Sequence, residues 1–265
     1  MAKEKEKILI ALTPSESKRV IAKGVKNLKE VQRALKQGTI IIGLGTTNAY
    51  VAEEILSELS GAKKIDKPRY AAGVITEKGT CVAAKEEREK EVIIKNGMVS
   101  REESIEDAIE ELSAEDVFIK GANALDAYGN AGILLAHATG GTIGSAIGTV
   151  MARGVNFIIP VGIEKMIPYS ITTAAKRVGK ERFYKSVGKP VGLMPVHGKV
   201  ITEIEALRIL GAEDAFPIGA GGVAGGEGSV VICAAGIEEK MEELMTLITQ
   251  IKGEAQVKVV HVECG

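Results

Sequence analysis

The 265-residue sequence is long enough for one large domain, or for a large domain with a smaller partner, and its 45% apolar and 26% charged residues are ordinary for a soluble globular protein. Its 34 basic and 35 acidic residues nearly cancel, which excludes a global electrostatic drive toward nucleic acid or an anionic membrane. The first residues lack the apolar core of a signal peptide, and no apolar run reaches the length of a membrane span.

The first elements predict a strand, a helix, a strand and a second helix. A strand over residues 8–12 precedes Thr13-Pro14-Ser15-Glu16, which places Thr at the N-cap, Pro at the first helical position and Glu three residues after the cap. This capping box predicts a helix that runs toward Gln37. Residues 39–54 combine a β-branched run, a glycine turn and a helix start. On that helix the spacing buries Val51, Ile55, Leu56 and Leu59 and turns Glu53, Glu54 and Glu58 toward water.

The glycine turn of residues 43–48 is typical of an anion site. A strand that enters a helix through such a turn directs the first-turn amides, which lack an intrahelical partner, at whatever lies above them. The helix dipole favours negative charge at the same place, so the turn predicts a phosphate or carboxylate site. A tight turn without a ligand is the alternative, because a Gly-x-Gly pair alone is a weak signal.

The middle of the chain continues the alternation. Apolar segments predict strands over residues 69–75, 80–84, 91–95, 117–119 and 155–161, and Asn96-Gly97 marks a tight turn. Residues 120–126 follow a strand end, and residues 140–145 precede a helix that ends near Arg153. Both segments belong at the carboxyl ends of strands, where open parallel sheets bind ligands. We therefore expect an α/β fold with a mostly parallel, Rossmann-like sheet.

Four segments in this order carry a family resemblance. They are a glycine loop after a strand, a Gly-Ala-Asn-x-x-Asp segment, a Gly-Gly loop and a strand that ends in Gly-Ile-Glu-Lys. The order, over roughly residues 38–168, resembles the superfamily of ribose-5-phosphate isomerases, glucosamine-6-phosphate deaminases, coenzyme A transferases and related initiation-factor regulatory subunits. The resemblance implies a sugar-phosphate or coenzyme A ligand.

The resemblance to the isomerases breaks at specific positions. Gly43, Gly45 and Thr46 match their phosphate loop, whereas Thr47, Asn48 and Ala49 stand where Gly, Ser and Thr would be. Their Asp-Gly-Ala-Asp-x-x-Asp pattern, with Asn four residues later, aligns with Lys120, Gly121, Ala122, Asn123, Asp126 and Asn130. Two acids of the pattern are thus replaced, and we expect a protein that is not an ordinary ribose-5-phosphate isomerase.

The last third of the chain changes in character. Residues 169–190 form a basic connector, either a solvated helix face or a phosphate-facing rim, with Lys176, Arg177, Lys180, Arg182, Lys185 and Lys189. Strands over residues 191–196, 216–219, 229–235 and 256–262, a helix opened by Thr202 and Glu205, and a helix over residues 237–252 predict a ferredoxin-like α+β layer. We therefore expect three parts, with residues 1–168 as the α/β core, 169–190 as connector and 191–265 as a small domain.

Residues 219–228 contain six glycines in ten positions. Such a segment is either a flexible connection or a lid whose backbone approaches a ligand closely. As a lid it would make Glu227 a candidate acid, base or nucleophile, since coenzyme A transferases, in the resemblance, use a glutamate beside glycine. An exposed loop is the alternative.

Cysteines and histidines indicate no metal site. Cys81, Cys233 and Cys264 are odd in number and far apart, which predicts neither a disulfide framework nor a zinc site and suggests a reducing cytoplasm. His137, His197 and His261 have no ligand-type neighbours at suitable spacing. No cofactor motif occurs, and the 3% aromatic content gives little support for base stacking. We expect no metal, no cofactor, no nucleic-acid or membrane partner, and a homo-oligomer.

The expected function is to bind a small anionic metabolite, phosphorylated or of coenzyme A type, in a crevice. The expected ligand-binding residues come from three loops and are Gly43, Gly45, Thr46, Thr47, Asn48, Lys120, Gly121, Asn123, Gly140, Gly141 and Thr142. In an isomerase-like or transferase-like enzyme, Asp126 or Glu164 would be the general base, and Lys120 or Lys165 would stabilise negative charge. The alternative is a non-catalytic sensor or regulatory module, or, for Glu164 and Lys165, a structural ion pair.

Overall fold

The structure, a computed structural model, describes residues 5–61, 64–100 and 102–265, and within these ranges the strands form four sheets. The helices are α1 Pro14–Lys26, α2 Lys29–Gln37, α3 Thr46–Leu56, α4 Ile105–Glu111, α5 Gly141–Arg153, α6 Ile171–Arg177, α7 Glu203–Ile209 and α8 Glu238–Ile251. The strands are β1 Glu6–Leu12, β2 Thr39–Ile42, β3 Gly73–Thr76, β4 Gly79–Ala83, β5 Val92–Lys95, β6 Met98–Ser100, β7 Val117–Ile119, β8 Ala124–Leu125, β9 Ala131–Leu135, β10 Asn156–Pro160, β11 Gly192–Val196, β12 Lys199–Ile201, β13 Asp214–Gly221, β14 Ser229–Gly236 and β15 Val262–Glu263.

The largest sheet is mixed, in the order β12-β10-β7-β2-β5-β6. Strands β12, β10, β7 and β2 are parallel, whereas β5 and β6 run antiparallel to their neighbours. Asn96 and Gly97, with φ of 49° and 76°, reverse the chain between β5 and β6. The other three sheets, β1-β14-β13, β11-β9-β8 and β15-β4-β3, are antiparallel. The expectation of a mostly parallel, Rossmann-like sheet is therefore wrong, because hairpins and long-range antiparallel pairs supply most of the pairing.

Strand pairing crosses the expected boundaries at residues 168 and 190. Strand β12 joins β10 in the largest sheet, β11 joins β9, and β14 lies between β1 and β13. The expected strand over residues 256–262 is replaced by the shorter β15, which pairs with β4. No separate ferredoxin-like layer forms among the described residues, since strands from the end of the chain complete sheets that begin near its start.

Both faces of the largest sheet are covered. Ile40 and Ile42 of β2 pack into one apolar core with residues of α1 and α3, and Ile41 packs into a second core with Phe118 and Ile159. Alternate side chains of a strand point to opposite faces, so a strand buried on both sides is apolar throughout. The β-branched run before the glycine turn is explained by this double burial.

The first helix begins at the expected capping box. The Thr13 amide donates to Glu16 Oε2 at 2.8 Å, and the Glu16 amide donates to Thr13 Oγ1 at 3.4 Å. The helix ends at Lys26 instead of continuing to Gln37, and α2 begins at Lys29. Asn27 closes α1 by donating its side-chain amide to the Lys23 carbonyl at 2.8 Å.

The acidic face of α3 does not face water as expected. Glu54 is 8% exposed, and Arg19 of α1 donates to it and to Glu53. A helix pattern read alone cannot show which neighbouring helix supplies a partner charge. The expected exposure of these two glutamates is therefore wrong because α1 packs on α3.

The cysteines also depart from expectation. Cys81 and Cys264 form a disulfide across a sequence separation of 183 residues, and Cys233 is free. The bond fixes the segment around β15 against β4, which already pair through Val262 and Ala83. The suggestion of a reducing compartment rested on unpaired cysteines, so the disulfide removes its support. Within the described ranges, no helix combines the length and apolar character needed to cross a membrane.

Candidate functional site

A cleft of about 250 Å³ lies at the carboxyl edge of the parallel strands. It is lined by residues 44–48 after β2, by residues 120–123 after β7 and by residues 140–143 at the start of α5. The structure thus brings together the three loops that the sequence singled out. Ten of the eleven expected ligand-binding residues line the cleft, and they are Gly45, Thr46, Thr47, Asn48, Lys120, Gly121, Asn123, Gly140, Gly141 and Thr142.

Gly43 is the expected ligand-binding residue that does not line the cleft. Its amide donates to the Ile119 carbonyl at 2.9 Å. A side chain at Gly43 would place Cβ 2.8 Å from Cδ of Lys120, so the glycine leaves room for that lysine to pass. The lack of a side chain at Gly43 therefore allows the Lys120 side chain to reach the cleft.

The amino terminus of α3 opens onto the cleft without a side-chain cap. Gly45 is the N-cap, and its own amide donates to the Tyr70 carbonyl at 2.8 Å. Buried Asn48 donates its side-chain amide to the Gly43 carbonyl at 2.6 Å and holds the turn. Its Oδ1 has no hydrogen-bond partner among the described residues. This end of α3 consequently combines uncapped first-turn amides with a buried acceptor that lacks a donor.

The amino terminus of α5 meets the same cleft. Gly140 and Gly141, with φ of 85° and 58°, adopt the left-handed region that favours glycine, and no side chain caps the helix. Thr142 donates its hydroxyl to Glu91 Oε1 at 3.1 Å. Two helix dipoles therefore direct their positive ends at one cavity.

Two lysines stand between these helix ends. Lys120 Nζ donates to the Leu44 carbonyl at 2.8 Å, and Lys165 Nζ donates to the Ala122 carbonyl at 3.1 Å. Burial lowers the pKa of Lys120, Glu91 opposes the shift and Lys165 adds to it, which leaves the pKa at about 8. Each amine thus has a backbone carbonyl as a hydrogen-bond partner, and Lys165 is a second cation near Lys120.

Glu91 is a cleft residue that sequence reasoning missed. It precedes β5, whose Val92 pairs with Ile42 at the end of β2. The Tyr70 hydroxyl donates to the Ile42 carbonyl at 2.6 Å and accepts from the Val92 amide at 3.1 Å, which fixes this corner. Strand β5 runs antiparallel to β2, so the residue before β5 lies beside the carboxyl end of β2. Recognising the β5–β6 hairpin would therefore have indicated that Glu91 lies at the cleft.

Further cleft residues come from other loops, and one of them, Lys189, belongs to the basic connector for which a phosphate-facing rim was one alternative. Arg88, His137 and Lys189 line the cleft, and Arg88 Nε donates to the Ala83 carbonyl at 2.9 Å. Lys189 forms a salt bridge of 2.9 Å with Glu263 next to the disulfide. Of the six basic residues in the connector, Lys189 is the one that lines the cleft, and the other five are exposed.

Asp126 lies outside the cleft lining and has a structural role. Its carboxylate accepts from the amides of Tyr128, Asn130 and Ile171 at 3.0, 3.0 and 3.1 Å and from the Asn130 side chain. Burial raises the pKa of Asp126, but these hydrogen bonds, first that of the Asn130 side chain, bring it below its ordinary value. A carboxylate so engaged holds a loop and is a poor base, contrary to the proposed catalytic role.

Glu227 also lies away from the cleft. It is exposed in the loop between β13 and β14, and its Oε2 accepts from the Gly225 amide at 3.0 Å. None of residues 219–228 is among the described residues that line the cleft. The segment is the tip of a hairpin, and the lid alternative gains no support from its position.

Glu164 belongs to a buried charged group beneath the cleft. Its Oε1 lies 4.0 Å from Lys18 Nζ of α1, and its Oε2 has no partner among the described residues. Glu203 of α7 is fully buried and accepts from the Ile163 amide at 2.9 Å, while its Oε1 is also without a partner there. Burial and the neighbouring Glu164 raise the pKa of Glu203 to about 7. Lys165 therefore reaches the cleft, whereas Glu164 points into protein.

These features define a mixed α/β protein with a cationic cleft at the carboxyl edge of its parallel strands. Among the described residues, no group of three or more His, Cys, Asp and Glu side chains is placed to hold a metal ion. Comparisons with protein-family models, curated proteins and solved structures gave no match.

Proposed function

We propose that the cleft binds a small metabolite through a phosphate or a similar anionic group. The observation that carries this proposal is the convergence of two uncapped helix amino termini, those of α3 and α5, on one cavity. Helix amino termini bind anions because their first amides lack acceptors and the helix dipole adds positive potential. A cavity of about 250 Å³ suits a small metabolite.

Side-chain charge supports the same ligand. Among the described residues that line the cleft, Arg88, Lys120, Lys165 and Lys189 are cationic, and Glu91 is the carboxylate. An excess of positive charge inside a partly enclosed cavity raises the local concentration of anions. The net charge of the whole chain is near zero, but the lining of the cleft carries more positive than negative side chains.

The apolar wall of the cleft accommodates the rest of such a ligand. Ile133, Leu135, Ile143 and Val191 contribute to the lining. Small-molecule sites are usually apolar cavities with a few placed polar groups that fix orientation.

A non-catalytic sensor or regulatory module of the same ligand class is the second candidate. It is favoured by the positions of Asp126, Glu164 and Glu227, since none of these three carboxylates expected to act as catalysts is among the described residues that line the cleft. Turnover of a phosphorylated-metabolite panel separates the candidates, because a sensor binds without converting its ligand.

The binding proposal is tested by thermal unfolding in phosphate, sulfate and phosphorylated sugars. At a ligand concentration of about 100 times Kd, binding adds about 2.7 kcal/mol and raises Tm by about 5–10 °C. Gly45→Val places methyl groups beside the first-turn amides of α3 and should abolish the shift. Gly148→Val on α5, where a Cβ would meet nothing within 4 Å, is the matched control. An unchanged Tm across the whole anion panel contradicts the proposal.

A further inference from the structure

We propose that Lys120 forms an imine with an aldehyde or ketone group of the bound anionic metabolite, so that the cleft supports covalent lysine catalysis. The inference rests on the proposed function, because the anionic group would hold the carbonyl beside the amine. It assigns a phosphorylated or carboxylated carbonyl compound as the ligand class.

The position of Lys120 is set by its neighbours. Its side chain passes Gly43, where any Cβ would lie 2.8 Å from Lys120 Cδ, and ends 2.8 Å from the Leu44 carbonyl. The residue is partly exposed and lines the cleft beside the amino terminus of α3. An amine held this close to an anion site meets the carbonyl carbon of a short ligand without a search over side-chain rotamers.

The amine is not committed to a structural ion pair. Within the described ranges, Lys120 forms no salt bridge, in contrast to Lys23, Lys26 and Lys67. Its hydrogen-bond partner is the neutral Leu44 carbonyl, which a ligand can replace at small cost. A lysine whose role is structural would be expected to pair with a carboxylate.

The charge state also suits a nucleophile. Only the neutral amine attacks a carbonyl, and an ordinary lysine with a pKa near 10.4 is about 0.1% neutral near pH 7.4. With burial and Lys165 lowering its pKa to about 8, Lys120 has a far larger neutral fraction. A second cation beside a desolvated lysine is a known means of activating it.

The reaction balances without an oxidant or reductant. Lys120 Nζ attacks the carbonyl carbon, a C–N bond forms, and the electron pair of the C=O π bond moves to oxygen. The nitrogen loses a proton to Glu91, and the Lys165 ammonium protonates the oxygen. Glu91 then returns its proton to the hydroxyl, which leaves as water while the nitrogen lone pair forms the C=N bond, and the remaining N–H proton passes to Lys165. One amine and one carbonyl thus yield one imine and one water, and both helper residues regain their starting protonation states.

The inference is tested with pyridoxal 5′-phosphate, which carries both an aldehyde and a phosphate. The probe is added to the full chain, the imine is reduced with sodium borohydride, and the modified lysines are located by peptide mass mapping. We expect one adduct per chain at Lys120, prevented by excess inorganic phosphate. Lys120→Arg should lose the adduct, whereas Lys240→Arg, at an exposed lysine outside the cleft, should keep it.

A second measurement depends on no variant. Trace acetylation of the unmodified protein at several pH values, followed by mapping, reports the reactivity of each lysine. Lys120 should reach half of its maximal reactivity near pH 8, whereas Lys240, whose pKa Glu243 raises above the ordinary value, should titrate at higher pH. Near neutral pH the neutral fractions should differ by about 100-fold or more.

The outcomes separate the two proposals. Stabilisation by phosphate and by pyridoxal phosphate with no Lys120 adduct overturns the imine and leaves anion binding in place. Adducts spread over surface lysines, with no stabilisation by either anion, overturn both. A Lys120 adduct that phosphate does not prevent contradicts the assignment of a shared anion site.

Discussion

Arg19 of α1 and Glu54 of α3 form a salt bridge of 2.8 Å, with side chains that are 12% and 10% exposed. Glu53 and Glu254 bind the same guanidinium, Lys67 joins both of these acids, and the Arg19 guanidinium lies 4.8 Å from the centre of the Tyr50 ring. Burial lowers the pKa of Arg19, but the hydrogen bonds that its guanidinium donates to Glu254 and Glu53 raise it above its ordinary value. One guanidinium therefore ties two helices to the segment that follows α8.

Arg19→Met should destabilise the protein strongly, because it leaves three carboxylates near each other in a largely buried place. Removing one partner of a buried ion pair costs about 3–5 kcal/mol. Urea unfolding at neutral pH measures the loss. Arg208→Met breaks an exposed pair with Asp214 and should cost under about 1 kcal/mol. Equal losses in the two variants would show that the Arg19 group is effectively solvated.

The carboxyl group of Glu203 should make stability depend on pH between about 4.5 and 7. Its folded-state pKa is raised, so its contribution is fully present below the unfolded pKa and is lost as pH rises through about 7. The groups that act on it include Glu164, which adds to the shift, the Ile163 amide and the Ser17 side chain, whose hydrogen bonds oppose it, and Lys18 nearby.

Glu203→Gln should flatten this dependence, since the amide is neutral at every pH. Chemical denaturation at pH 5, 6, 7 and 8 compares the variant with the unmodified protein, and the variant should gain relative stability as pH rises. Glu243→Gln, on the exposed face of α8, is the control. Parallel curves for Glu203→Gln and the unmodified protein would mean that Glu203 remains ionised when folded.

Reduction of the Cys81–Cys264 disulfide should lower stability by about 2–5 kcal/mol, because the bond closes a long loop in the unfolded chain. Thermal unfolding with and without a thiol reductant measures the change, and Cys264→Ser should reproduce it. Cys233→Ser removes the free cysteine and should leave the reductant effect intact. A reductant-insensitive Tm, with three titratable thiols before reduction, would refute the bond.

The purified protein should not isomerise ribose 5-phosphate at an ordinary enzymatic rate of about 10 per second. Aldose–ketose isomerisation needs a base that moves a proton between adjacent carbons, and Lys120 and Asn123 occupy the positions of two aligned acids. Ribulose 5-phosphate formation is measured beside Lys120→Asp/Asn123→Asp. Full turnover by the unmodified protein would contradict this prediction and point to Glu91, the carboxylate that lines the cleft in the described part of the chain.

Local patterns predicted local structure well. The β-branched residues before Gly43 correctly predicted β2, and the Thr13–Glu16 capping box correctly predicted the start of α1. The glycine loops at strand ends correctly predicted which loops line the cleft. Partners distant in the chain were not predictable in this way. The pairing of β1 with β14, the contact of Arg19 with Glu54 and the place of Glu91 all depend on which elements become neighbours. The position of Asp126 outside the cleft lining was not predictable either, because an acid that holds a loop and an acid that moves a proton are identical in sequence.

The pairing of Leu12 with Val230 sets an order of assembly during synthesis. At about 5–20 residues per second, the ribosome needs about ten seconds or more to release β14 after β1 has emerged. Throughout that interval the inward side chains of β1, Ile8, Ile10 and Leu12, have no partner strand. Strand β1 is therefore translated well before the strand that pairs with it, and its apolar face lacks that partner through most of the synthesis of the described residues.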